Sequence, residues 1–167
     1  MVSEIVYPRP CGYFTDPKRT CKCTPNARQR YMGRVSGPLI DRIDIHVEVP
    51  PVPWRQLRGQ AEGLSSEDMR SQVIAARTVQ TDRFADGKSS TTTNASMTSR
   101  QVRKFCKLDS SGESLLKQAM SELGLSARAH DKVLRIARTI ADLETRENIA
   151  AHHLAEAIQY RKLDRKL

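Results

Sequence analysis

From about Ser65 onward the apolar residues recur at helical spacing, and before that point they do not. Ser126 precedes the clearest case, in which Val133, Ile136, Ala137, Ile140, Ala141 and Leu143 fall on one helical face. Leu115, Leu116, Met120 and Leu123 form a second set. Asp109-Ser110-Ser111 caps it and Gly124 ends it. Leu154, Ala157 and Ile158 mark the inward side of a last helix over roughly 150–162. Upstream, Ser66-Glu67-Asp68 is an acidic opening for a helix to about Phe84, with Val73, Ile74 and Val79 within it. A short helix follows Ser99. Residues 86–95, rich in Gly, Ser and Thr, read as a mobile loop.

The amino part follows another pattern. Residues 1–24 are rich in Pro, Gly, Cys and charge, and read as loop. Pro25-Asn26 opens a polar, basic helix from Ala27 to Arg34, which Ser36-Gly37-Pro38 breaks. Leu39-Ile40-Asp41-Arg42-Ile43 predicts one turn of helix. Asp44-Ile45-His46-Val47-Glu48-Val49 alternates and stops at Pro50-Pro51, the best strand pattern in the chain. A linker runs from Pro50 to Leu64. There are no internal repeats. The fold class is therefore mainly α: a helical bundle, residues 63–167, behind an α/β remnant with one strand, residues 1–62.

Composition narrows the function. No run approaches the roughly 18 apolar residues of a membrane span, and no signal peptide is visible, so a cytoplasmic location is expected. Net charge is +9, which permits a polyanionic partner without requiring one. The excess is concentrated: Arg9, Lys18, Arg19, Lys22, Arg28, Arg30 and Arg34 stand against Asp16 alone between Tyr7 and Arg34. Among these, Arg28, Arg30 and Arg34 are the candidate contacts to nucleic-acid phosphates. Cys11, Cys21 and Cys23 are clustered, which in a cytosolic chain points to metal before disulfide. Cys106 lies in a helix and reads as a small core residue. His152 and His153 read as structural.

Two long blocks carry a resemblance. The first runs Gly33-Arg34-Val35-Ser36-Gly37-Pro38-Leu39-Ile40-Asp41-Arg42-Ile43-Asp44-Ile45-His46-Val47-Glu48-Val49-Pro50. The second joins Gly124-Leu125-Ser126-Ala127-Arg128-Ala129-His130, Arg135-Ile136-Ala137-Arg138-Thr139-Ile140-Ala141-Asp142-Leu143 and His153-Leu154-Ala155-Glu156-Ala157-Ile158-Gln159-Tyr160-Arg161. Over roughly residues 10–165 the chain resembles the carboxy-terminal third of ComM-type magnesium-chelatase-like ATPases of the AAA+ class. That family has an α/β nucleotide-binding core followed by a helical lid, binds ATP with magnesium, and includes DNA-acting ring motors of branch migration and competence.

The resemblance implies roles for particular residues. Arg42 matches the arginine finger that reaches a neighbouring subunit's ATP, where a guanidinium offsets charge growing on the γ-phosphate. Asp41 beside it is placed to orient that arginine, against the plainer reading of a local Asp41–Arg42 surface pair. Arg128 matches the lid arginine, sensor 2. As a cation at a helix amino end it opposes the macrodipole. Where the family has two Cys-x-Cys pairs, Arg9 replaces one cysteine, so Cys11, Cys21 and Cys23 leave tetrahedral zinc one ligand short. His46 is a conceivable fourth ligand, and zinc and unmetallated thiols both stay open. Tyr7 stands where the family has the sensor 1 asparagine, and from Met1 to Arg9 the resemblance fades, which suggests truncation, a frameshift or an altered start.

The family's Gly-x-x-x-x-Gly-Lys-Ser/Thr phosphate loop is absent from the 167 residues. Gly87-Lys88-Ser89 echoes its end without the first glycine or a preceding strand. The expected function is a contribution of finger and lid to an oligomer of AAA+ subunits, with ATP held by another chain. Two alternatives belong to other classes: a non-enzymatic basic module for DNA or RNA, and an inert product of a broken gene.

Overall fold

The computed structural model describes residues 10–13, 19–34, 36–47, 49–50, 52, 54–59, 63–85 and 90–161. Among them are eight α-helices: α1 (Pro25–Met32), α2 (Gly37–Arg42), α3 (Trp54–Arg58), α4 (Ser66–Arg83), α5 (Ser99–Phe105), α6 (Ser110–Leu123), α7 (Ala127–Leu143) and α8 (Ala151–Gln159). A 3-10 turn, Asn94–Ser96, lies between α4 and α5.

α7 is the central element, packed on α4, α5, α8 and the 3-10 turn, and α8 also packs on α6. Its start is set by Ser126, whose hydroxyl accepts the Ala129 N–H at 3.1 Å. Ala129, Val133, Ala137 and Ala141 are all at most 1% exposed, so small residues let neighbouring helices approach closely. Ile136 and Leu143 sit on the shoulder of that face. Leu143 is 39% exposed, where the periodicity places it inward. The rest of the core is Leu134 and Ile140 of the same helix with Phe84, Met97, Val102, Cys106, Leu116, Ile149, Leu154 and Ala157, and Phe84 and Phe105 meet edge to face at 5.6 Å. Burial pushes the Cys106 thiol up to about 11, so it behaves as an inert apolar group.

The other helix ends follow local chemistry. Ser65 and Asp68 form a capping box on α4. The Asp109 carboxylate accepts the Gly112 N–H at 2.7 Å, and a Cβ on Gly112 would lie 3.2 Å from that carboxylate. Gly124 adopts φ 61° and closes α6. α4 buries only Ala76 and Gln80 along its length, leaving Met69, Val73 and Ile74 at least half exposed.

Three expectations change. The strand over Ile45–Val49 does not form: no described residue is in a strand, and Glu48 lies outside the described residues. A strand needs a neighbour to take its backbone groups. Here the His46 N–H goes instead to the Tyr160 carbonyl at 2.8 Å, at the end of α8. The 50–64 linker contains a helix, α3. The loop over 86–95 is in part structural, since Asn94 is 1% exposed and bonded into the core; residues 86–89, with the Gly87-Lys88-Ser89 echo, lie outside the described residues. Tyr7 and Arg9 also lie outside them.

Candidate functional site

The end of α2 is docked on the start of α7 and the end of α8. α2 has six residues, too few to hold a helix alone. Its support comes from outside. Ser36 caps its start, accepting the Leu39 N–H at 3.3 Å, and Ile40 is buried. At its carboxyl end the Lys132 ammonium, on α7, donates to the carbonyls of Asp41 (2.9 Å) and Arg42 (2.6 Å) and pairs with Asp44 at 2.9 Å. Those two carbonyls belong to the last turn, which lacks intrahelical donors, and a cation there also complements the helix dipole. Arg161, fully buried, donates to the Ile43 carbonyl from α8's side.

Asp41 ties the same edge to the start of α7. Its carboxylate accepts the Ser126 hydroxyl at 2.9 Å and Arg128 Nη1 at 3.1 Å. Ser126 therefore serves twice, taking the Ala129 N–H and giving its own proton to Asp41. The Ser126 hydroxyl, and after it the Arg128 guanidinium, hold the Asp41 carboxyl below its ordinary range. The partner of Asp41 is thus Arg128 across the interface, rather than the adjacent Arg42. Arg128 remains 67% exposed in its side chain. The Arg42 side chain is exposed and makes no hydrogen bond or ion pair with another described residue. One edge therefore carries two solvent-facing guanidiniums, joined through Asp41 and Lys132.

The sulfurs of Cys11, Cys21 and Cys23 lie within 4.8 Å of one another. Cys11 donates to Cys21 at 3.4 Å, and the Tyr13 N–H points at Cys11 Sγ at 3.5 Å. Zinc–sulfur bonds of about 2.3 Å in a tetrahedron put sulfurs roughly 3.8 Å apart, so the three thiols suit a soft cation. The cluster as described does not include His46, which is held at α8 instead. Arg30 and Arg34 are exposed and Arg28 is half-buried, and α1 buries none of its residues.

A second metal-like trio, Glu144, His152 and His153, is a helix cap. The Ala150 N–H donates to His153 Nδ1 at 2.9 Å, so that nitrogen carries no proton. The neutral ring then holds its proton on Nε2 and donates it to Glu144 at 2.9 Å. Nε2 has no lone pair left for a metal. The His152 and His153 hydrogen bonds, in that order, lower the Glu144 carboxyl below its ordinary range.

Residues 63–161 match the family described as magnesium chelatase, subunit ChlI C-terminal, and residues 1–57 match magnesium chelatase, subunit ChlI. The chain belongs to the magnesium-chelatase-like family. Within this family it is similar to the competence protein ComM of Haemophilus influenzae, with 37% identity over 161 residues, 96% of this chain and 30% of that protein. It is 38% identical to the uncharacterized protein YifB of Escherichia coli over the same shares. An uncharacterized protein of Mycobacterium tuberculosis (strain H37Rv) is 31% identical over 162 residues, 95% of this chain and 31% of that protein. The chain thus spans about 30% of the length of the curated relatives it matches. No helix among the described residues is long and apolar enough to cross a membrane.

Lys132, Arg161 and the double role of Ser126 are not evident from the sequence. Lys132 is a polar residue on an otherwise apolar face of α7 and Arg161 continues the apolar spacing of α8 just past its end, which is the signal available in the sequence.

Proposed function

We propose that this chain supplies the arginine finger and lid of a magnesium-chelatase-like AAA+ ring, acting on ATP held by another subunit. The observation that supports this reading is the edge of α2 and α7. Arg42 has its backbone held by the buried Lys132 while its guanidinium stays open to a neighbour. Arg128 lies across Asp41 from the same turn. A finger needs a rigid base and an unengaged charged tip, because the charge it meets grows only in the transition state. On this reading Arg42 stabilises the γ-phosphate charge and Arg128 contacts phosphate from the lid. ATP and magnesium would be held by the partner, since these 167 residues contain no phosphate loop. The location would be cytoplasmic, and the substrate of the assembled ring would be DNA, in keeping with a relative named for competence.

The test is complementation. A full-length magnesium-chelatase-like ATPase with its own finger arginine changed to Ala is mixed with this chain, and phosphate release is followed. The expected result is recovered hydrolysis that drops on the order of 10²-fold or more with Arg42→Ala. No recovery, or equal recovery with the variant, overturns the reading.

A second reading is supported by α1. Its exposed Arg30, with Arg28 and Arg34 nearby, suits weak, sequence-independent contact with DNA or RNA phosphates. The Cys11–Cys21–Cys23 trio would hold zinc and brace the loop before that helix. Duplex binding by fluorescence anisotropy should then fall steeply with salt and be lost when Arg28, Arg30 and Arg34 become Ala. Binding that survives the triple change removes this reading.

A further inference from the structure

A cleft of about 480 Å³ opens between the end of α4, the end of α5 and the turn after α7. Its floor is a buried ionic cluster. Asp142, with a side chain 0% exposed, accepts both terminal nitrogens of Arg83 at 2.7 and 2.5 Å and Arg138 Nε at 3.1 Å. Two guanidiniums therefore face one carboxylate, with side chains only 13% and 3% exposed. Arg138 spends its other groups on the carbonyls of Glu147 and Arg146, both at 2.5 Å. Carbonyl dipoles temper the surplus charge without cancelling it. A buried charge without a counter-charge is costly, and here the surplus sits under an opening to solvent.

The rim adds to the same sign. Lys104, Lys107 and Arg146 line the cleft with the two floor arginines, and among the described residues that line it the carboxylates are Asp142 and Glu147. The Arg146 backbone is fixed: its N–H donates to the Ala141 carbonyl at 2.8 Å and its carbonyl is gripped by Arg138. The turn that carries it passes through Thr145 at φ 54°, a left-handed conformation that a β-branched residue rarely adopts. The side chains of Lys107 and Arg146 make no hydrogen bond or ion pair with another described residue. Lys104 sits 4.7 Å over the Phe105 ring, so that face is not free to stack a base.

We infer that this cleft is an anion site that takes a phosphate group, with Lys107 and Arg146 as the reaching cations and the Arg83–Arg138 floor supplying fixed positive potential. Phosphate suits it because the Arg146 guanidinium, on a fixed backbone, and the Lys107 ammonium can meet several oxygens at once. The site shares no residue with the Arg42–Arg128 edge and does not depend on the ring reading. The phosphate has two sources, a small free ligand or the backbone of a nucleic-acid strand.

Calorimetric titration of the whole chain with inorganic pyrophosphate, and separately with a short single-stranded oligonucleotide, tests it. The variants are Lys107→Gln with Arg146→Gln, Glu147→Gln, and Arg28→Gln with Arg30→Gln and Arg34→Gln. All change exposed or half-buried side chains, and a melting curve for each checks that the fold is kept. The expected result is saturable binding of pyrophosphate that the Lys107/Arg146 pair weakens by at least about tenfold and Glu147→Gln tightens. The α1 triple variant should leave it unchanged. Binding of the oligonucleotide alone with the same dependence supports the site and assigns the strand as its source. Absence of saturable binding of either probe overturns it. So does binding that follows the α1 arginines and ignores Lys107 and Arg146.

Discussion

Replacing Asp142 by Ala should be the most damaging single change to the polar part of this protein. The carboxylate lies inside the bundle with no exposed surface and accepts four hydrogen bonds, two from Arg83, one from Arg138 and one from Asn94 at 2.7 Å. Its loss leaves two guanidiniums without a counter-charge and removes one of the two acceptors of the Asn94 amide, the other being Thr139. Breaking a buried pair by removing one partner costs about 3–5 kcal/mol, because the remaining charge has been desolvated for nothing. Domains of this kind hold about 5–15 kcal/mol in all. The control is Arg83→Met, which leaves Asp142 with Arg138 and Asn94 and forfeits charge-assisted bonds worth about 1.5–3 kcal/mol. Urea denaturation followed by far-ultraviolet circular dichroism gives both values. Asp142→Ala should lower stability by at least about 3 kcal/mol, and clearly more than Arg83→Met. The reasoning fails if Asp142→Ala stays within about 1 kcal/mol of wild type, or if Arg83→Met costs more, since the carboxylate would then not be the hub.

The Asp41 carboxyl is held down by Ser126 and Arg128, so its stabilising contribution is present above its ordinary value of 3.8 and is lost as pH falls through its lower folded value. The stability gap between wild type and Asp41→Asn, measured by denaturation across acid pH, should be widest near neutrality and close in strong acid; a gap independent of pH refutes this. The isolated chain should release no phosphate from ATP, since no loop cradles the phosphates; release above buffer that Arg42→Ala abolishes would refute it. Zinc competition against a chromogenic chelator should show binding that Cys21→Ser weakens by about tenfold or more, and equal affinity in the variant would remove the thiol site.

Helices are legible in this chain because their signals are local. Ser126, Asp109, Ser65 and Gly124 act within one turn of their own position, and each does in the structure what its residue type dictates. The strand expected over Ile45–Val49 does not form among the described residues, because alternation there reports only a preference. The partner that would turn preference into pairing is not among the described residues. The site shows the same division. Arg42 and Arg128 stand out through the blocks that carry the family resemblance, and Cys11, Cys21 and Cys23 through their spacing. The pairing of Asp41 with Ser126 and Arg128 spans 85 and 87 residues, and no local rule reaches that far. The Arg83–Asp142 bond spans 59 residues and is hidden for the same reason.

These long-range contacts decide how the arginine edge behaves. Six residues of α2 cannot stay helical on their own, since nucleation costs more than so few bonds return. The turn bearing Arg42 is therefore helical because Lys132, Arg161 and Ser126 make it so, and all three belong to or border α7 and α8. Lys132 is 9% exposed and donates to two carbonyls that otherwise lack a donor within the helix. A neutral residue there would leave those carbonyls to water and open the turn. It follows that Arg42 is carried by α7. Any motion of α7 that preserves these bonds moves Arg42 and Arg128 together, and one that breaks them releases Arg42 from its base. On the proposed reading, in which Arg42 is a finger in a ring, the position of α7 would set whether the neighbouring phosphate meets a fixed guanidinium or a mobile one, and only the fixed one avoids the entropy of ordering it at the moment of reaction.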